Sequence, residues 1–104
     1  MQRENTAFPI TAQSRSMRAI IIDRLTCAQR AVIALELDGY SVIDVRLTGC
    51  CRPTIEIQND ARLGQLVDDA RACYYARKHG LHGVERVGQF ELEGCRVIWT
   101  VKGH

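Results

Sequence analysis

The spacing of apolar residues changes once, near residue 40, and no other feature of the chain constrains its fold as much. Met17, Ile21, Leu25, Ala28, Val32 and Leu35 recur at steps of four, four, three, four and three. That is the stripe of an amphipathic helix. After "DGY" the period becomes two. Ile43, Val45 and Leu47 alternate with Asp44 and Arg46, and Ile55 and Ile57 alternate with Thr54, Glu56 and Gln58. These are strand patterns. The link "TGCCR" between them has hairpin length and contains Gly49.

Ser14 or Ser16 is placed to cap the helix, and Gly39 to stop it just after Leu37. A competing reading makes "RAIII" a short strand and starts the helix at Thr26, which forms a capping-box pattern with Gln29. One long helix to about Leu37 fits the stripe better. Asn59 or Asp60 then caps a second helix with the stripe Leu63, Leu66, Val67, Ala70, Cys73, Tyr74 and Arg77, stopped by Gly80. Farther on, Val84, Phe90 and Leu92 share a strand phase. Val87 falls out of it, so a bulge is expected near Gly88. Glu93-Gly94 makes a tight turn, and Cys95, Val97, Trp99 and Val101 form the inward face of the last strand. Trp99 is expected to be buried, with its indole N–H hydrogen-bonded or reaching the surface. The order is α-β-β-α-β-β. Hairpins favour antiparallel pairing and both helices need a surface to cover. The expectation is an α+β domain: a four-stranded antiparallel sheet with two helices on one face.

At 104 residues the chain is long enough for one domain with a real core. Residues 1–14 are polar and contain Pro9, so they read as an extended or mobile arm, with a single domain over 15–104. No apolar run approaches the roughly 20 residues that span a bilayer, and the N-terminus lacks the apolar core of a secretory signal. The expected location is the cytoplasm, without membrane association. Thiols there stay reduced, and five cysteines, an odd number, make a poor disulfide framework.

Cys50 and Cys51 are adjacent, and the small ring of a disulfide between neighbours would strain the intervening peptide. Zinc sites use paired ligands at spacings such as C-x-x-C, which this chain lacks. His79 and His82 make an H-x-x-H spacing inside a glycine-containing loop, a weak signal. The cysteine pair reads as an exposed hairpin tip. Arg52 beside it is the feature that would lower a thiol pKa and make these thiols reactive. Cys73 and Cys95 are expected in the core. No catalytic motif of the serine-hydrolase, phosphate-loop or zinc-protease kind occurs. Adjacent Asp68 and Asp69 point to different sides of a helix and suit no paired-carboxylate mechanism. The expectation is a non-enzymatic protein without metal or cofactor.

Two surfaces remain as candidates for binding. If the helices cover Ile43, Val45, Ile55, Ile57, Val97 and Trp99, the strand period leaves Tyr40, Val42, Arg46, Arg96 and Ile98 on the open sheet face. That face would suit a protein partner, with the arginines as anchors around an apolar centre. The alternative is a basic patch at the end of the second helix, Arg71, Arg77, Lys78 and Arg86, contacting nucleic-acid phosphates. The net charge of +2 is too balanced to demand a polyanion but permits a local patch.

The segments "GYSVIDVRL", "RPTIEI" and "GCRVIWT" together resemble small orphan proteins encoded by prophages and temperate phages of Gram-negative bacteria. The resemblance covers about residues 28–101. The doubled cysteine and the N-terminal arm depart from it. It brings no catalytic residues. It implies an accessory protein, of the class that includes anti-CRISPR proteins, which binds and inhibits a host or defence protein.

Overall fold

The structure is a computed structural model that describes residues 16–49, 51–80 and 83–103, without the side chain of Lys78. The expected arm at 1–14, Cys50 and His82 lie outside the described residues. The elements are α1 (Met17–Leu37), β1 (Val42–Arg46), β2 (Thr54–Ile57), α2 (Ala61–Asp68), β3 (Cys73–Gly80), β4 (Gly83–Leu92) and β5 (Cys95–Lys102). The five strands form one mixed sheet in the order β1-β2-β5-β4-β3, with β2 and β5 parallel and the other pairs antiparallel. The α+β class stands. The four-stranded, wholly antiparallel sheet does not.

The ends of α1 follow the sequence. The Ser16 hydroxyl accepts a hydrogen bond from the Ala19 amide at 3.1 Å, and Gly39, at φ +91°, closes the C-terminus. Residues 17–24 are therefore helical, and Thr26 sits inside the helix with its hydroxyl donating to the Ile22 carbonyl.

The missing strand comes from the second helix, which ends at Asp68, twelve residues before Gly80. Ala70 adopts φ +60°, and the amides of Ala70 and Arg71 donate back to the carbonyls of Val67 and Leu66. This is a Schellman closure with alanine where glycine is usual. Cys73, Tyr74 and Tyr75 then begin β3. The apparent helical spacing through residue 77 yields to the pairing of β3 with β4, which leaves no open edge on β4.

The core lies on one side of the sheet. Ala31 and Leu35 of α1, Leu63 of α2, and Ile55, Ile57, Cys95, Val97 and Trp99 of the sheet form one buried cluster. Both helices therefore share a face. Trp99 is fully buried between Tyr74 and Phe90, whose ring centroids lie 6.2 and 6.1 Å away. Its indole nitrogen has no hydrogen-bond partner among the described residues, contrary to expectation. Gly88 makes room for it: a Cβ there would come within 2.6 Å of the indole Cε2 and Cη2. β4 pairs with β5 without a shift from Glu85 to Leu92, so no bulge falls at Gly88. The bulge is in β3, between Tyr74 and Ala76. Val87 is out of phase with Phe90 because it points to the opposite face, where it is also buried.

Only the C-terminal half of α1 rests on the sheet. Ala28, Ala31 and Leu35 are buried, whereas Met17, Ile21 and Leu25 of the same stripe are 54%, 39% and 51% exposed. No described helix is long and apolar enough to cross a membrane.

Candidate functional site

The open-face patch expected from the sequence does not assemble. A bulge in β1 between Val42 and Asp44 brings Val42 opposite Ile57 and Val45 opposite Ile55. Val42 therefore packs toward the core on the helix face. Ile43 and Val45 are more exposed than a core-lining strand would have them. Tyr40 is also on the core side, with the Arg62 guanidinium 4.2 Å above its ring. Ile98 does face the open side but is only 7% exposed, too buried to anchor a partner. Arg46 and Arg96 do share that face, in one row through Thr54. Arg46 is held by Asp44 and Glu56, each at 2.9 Å, and Arg96 lies over the Tyr75 ring at 5.1 Å. The face is laced with its own ion pairs, including Arg52 with Glu91.

The basic residues fall differently. Arg71 sits in the turn after α2, over a cleft lined by Leu35, Tyr40, Leu66 and Phe90. Arg77, Lys78 and Arg86 are on strands, not at a helix end, so no helix dipole accounts for them. Arg71 precedes β3 at its start, whereas Arg77 lies toward its far end. Lys78 is paired in register with Glu85, and its side chain lies outside the described residues.

Arg77 and Arg86 form the site that does assemble. They are directly opposite each other across β3 and β4. Arg86 is on the helix face because it pairs with Val101, in phase with buried Trp99 and Val97. Simple alternation from Tyr74 would send Arg77 to the other face. The extra residue at Tyr75 inverts the phase and turns Arg77 to the same side as Arg86. Tyr74 shares that face, and the Arg86 guanidinium lies 4.4 Å from its ring centroid. The bulge also gives each of two consecutive tyrosines an arginine: Tyr74 carries Arg86 on one face, and Tyr75 carries Arg96 on the other.

The immediate neighbours of the pair on this face are Tyr74, His79, Val84, Gly88 and Val101, none of them acidic. Among the described residues neither guanidinium forms an ion pair with a carboxylate. Both arginines are exposed. Like charges directly opposite on a sheet destabilise it by a few tenths of a kcal/mol up to about 1 kcal/mol. An anion bridging the pair would reverse that cost. The sequence shows basic residues near 77 and 86, but the bulge that brings these two together has no signature in it.

The thiols also separate. Cys51 is exposed, Cys27 half-buried and Cys95 fully buried. Burial pushes the Cys95 thiol pKa up, with Cys27 and Glu93 adding to the rise. Cys73, expected in the core, is exposed, because β3 pairs it with Gln89 on the open face. Among the described residues no three His, Cys, Asp or Glu side chains cluster as metal ligands would.

A family model described as "Uncharacterised protein" matches residues 10–102, and the chain belongs to that family. No curated protein matches the chain. No solved structure matches it either.

Proposed function

We propose that this family member is a non-enzymatic binding protein that contacts nucleic-acid phosphates through the helix-side face of the β3–β4 hairpin. The observation that carries the reading is the cross-strand pair Arg77–Arg86, exposed and without a carboxylate partner among the described residues. Arginine presents a planar fork of donors that matches phosphate oxygens. The stack on Tyr74 restrains that fork in Arg86 before any ligand arrives. His79 continues the polar track along β3. The test is binding of labelled oligonucleotides by fluorescence anisotropy between 50 and 200 mM salt, roughly the range over which phosphate contacts weaken strongly. Affinity is expected to fall with salt, and Arg77→Ala or Arg86→Ala to lower the log–log slope by about one each. Binding that is absent at low salt, or indifferent to both substitutions, would refute the reading.

A second reading is an accessory protein, of the phage or prophage kind the sequence resembles, that binds and inhibits a host or defence protein. What supports its protein-binding part is the apolar stripe of Met17, Ile21 and Leu25 on α1, exposed among the described residues and a better protein contact than the ion-paired sheet face. On that reading Leu25→Asp abolishes binding to a defined host protein, while Arg77→Ala and Arg86→Ala leave it intact.

A further inference from the structure

We infer that the Arg77–Arg86 pair is a clamp for a phosphate monoester, and that the preferred ligand is a nucleic-acid strand end carrying a terminal phosphate. This rests on the phosphate-binding reading above and narrows it to one chemical class.

The argument begins with charge. A phosphodiester within a strand carries one negative charge, whereas a phosphate monoester carries about 1.5 to 2 at neutral pH and offers three terminal oxygens. Two arginines directly opposite on an antiparallel pair have their Cβ atoms about 4.5–5.5 Å apart. Both side chains rise from the same face and line one open pocket with Tyr74, so a single ligand seated there lies within reach of both forks. Two facing positive charges without a carboxylate between them match a dianion better than a monoanion. A diester also lacks the third free oxygen that lets both forks bind bidentately.

Tyr74 gives the clamp its geometry. Its ring packs edge-on to buried Trp99 and so is fixed from below. The Arg86 guanidinium lies over the same ring, which thereby sets its position. Because Arg86 already covers it, Tyr74 is not a platform for a stacked base. The site is built to read a phosphate group rather than a base. Tyr74 is a positioning residue, and Arg77 and Arg86 are the contacting ones. The surrounding face favours a nucleic-acid end over a phosphorylated peptide. His79 extends the track from the clamp, and among the described residues its neighbours on this face are not acidic, which suits the phosphodiesters that follow a terminal phosphate.

The test compares two short single-stranded DNA oligonucleotides of one sequence, one with a 5′-phosphate and one with a 5′-hydroxyl, by anisotropy at fixed salt. The full chain is used, and far-UV circular dichroism checks that each variant keeps its fold. The 5′-phosphorylated strand is expected to bind at least about tenfold more tightly, a difference of about 1.4 kcal/mol. Arg77→Ala and Arg86→Ala should each remove that preference. Arg86→Lys should restore it only in part, since lysine keeps the charge but not the fork. Tyr74→Leu should reduce the preference while leaving the salt slope unchanged, which a merely structural role would not do. Inorganic phosphate at millimolar concentration should compete with the phosphorylated strand. Equal binding of the two strands, with a salt slope that still depends on Arg77 and Arg86, would overturn the clamp and leave the proposed function standing. Binding of neither strand would overturn both. A phosphoserine peptide bound as tightly as the phosphorylated strand would overturn nucleic acid as the source of the phosphate.

Discussion

Gly88→Ala is the perturbation that most directly tests how the core is built. The added methyl would sit within 2.6 Å of the Trp99 indole, closer than the roughly 3.5–4.0 Å at which carbon atoms pack. Neither side has room to yield. Trp99 is fully buried between Tyr74 and Phe90, and Gly88 is held in the ladder by partners on both sides, Tyr74 and Trp99. Overpacking of this kind costs about 1–3 kcal/mol, and an overlap of about 1 Å against a rigid ring belongs at the upper end of that range. The contact is specific, so it can be isolated by a double-mutant cycle. With Trp99→Leu the ring is gone, and the alanine methyl would enter space the indole had filled. There Gly88→Ala is expected to cost nearly nothing, or to stabilise slightly, since alanine loses less backbone freedom than glycine. The coupling between the two sites should therefore be about 2–3 kcal/mol, in the range seen for residues in contact. Urea unfolding followed by far-UV circular dichroism measures all four proteins without relying on the tryptophan signal. A single-variant cost within about 0.5 kcal/mol of zero, the ordinary surface range, would refute the argument. So would an equal cost in both backgrounds.

Three further outcomes follow from local geometry. Ala70→Gly should stabilise the protein by about 0.5–1 kcal/mol in the same urea assay, because the left-handed conformation costs alanine about 1–2 kcal/mol and glycine gives back about half of that in backbone entropy; a loss of stability would contradict the assigned closure of α2. Under native conditions Cys51 and Cys73 should react with a thiol reagent much faster than Cys95, which is buried and whose thiolate is disfavoured; mass spectrometry of the labelled chain reads the order, and early labelling of Cys95 would contradict it. Asp60 caps α2 and is held below the usual carboxylate range, chiefly by its side-chain hydrogen bond with Arg62. Its contribution is thus present above the unfolded-state value near about 3.9 and lost as pH falls through the lower folded value. Asp60→Asn should flatten the acid limb of the stability curve below about pH 4, and an unchanged limb would remove Asp60 from that role.

Local signals in the sequence were reliable where one chemical feature decided the structure. Ser16, Gly39 and the 17–35 stripe set α1, and alternation set β2 and β5. They failed where two periodicities overlapped. Leu63, Leu66 and Val67 belong to a helix, whereas Tyr74 and Arg77 belong to a strand, yet their combined spacing reads as a single helical stripe. The break between them is an alanine in a conformation that normally marks itself with glycine, so the sequence carried no stop sign. The parallel contact of β2 with β5 was equally hidden. It depends on β4 and β3 extending the sheet outward from β5, a choice made by tertiary packing rather than by any turn.

The candidate site illustrates why face assignment is harder to read than element assignment. Strand period two makes every side-chain direction depend on the residues before it, so one inserted residue reverses everything that follows. In β1 the bulge at Ile43 put Val42 among the core contacts and removed it from the expected protein-binding face. In β3 the bulge at Tyr75 placed Arg77 beside Arg86. A regular β3 would have set Arg77 on the open face, where Glu91 and Glu56 already pair with arginines. The bulge thus sets Arg77 opposite Arg86, where no described neighbour on that face is acidic, and pairs Lys78 in register with Glu85. A regular ladder would part this like-charged pair. That the chain keeps the costlier arrangement, with Tyr74 buttressed by Trp99 to hold Arg86 in place, is the physical reason to look for function at this hairpin rather than elsewhere on the sheet.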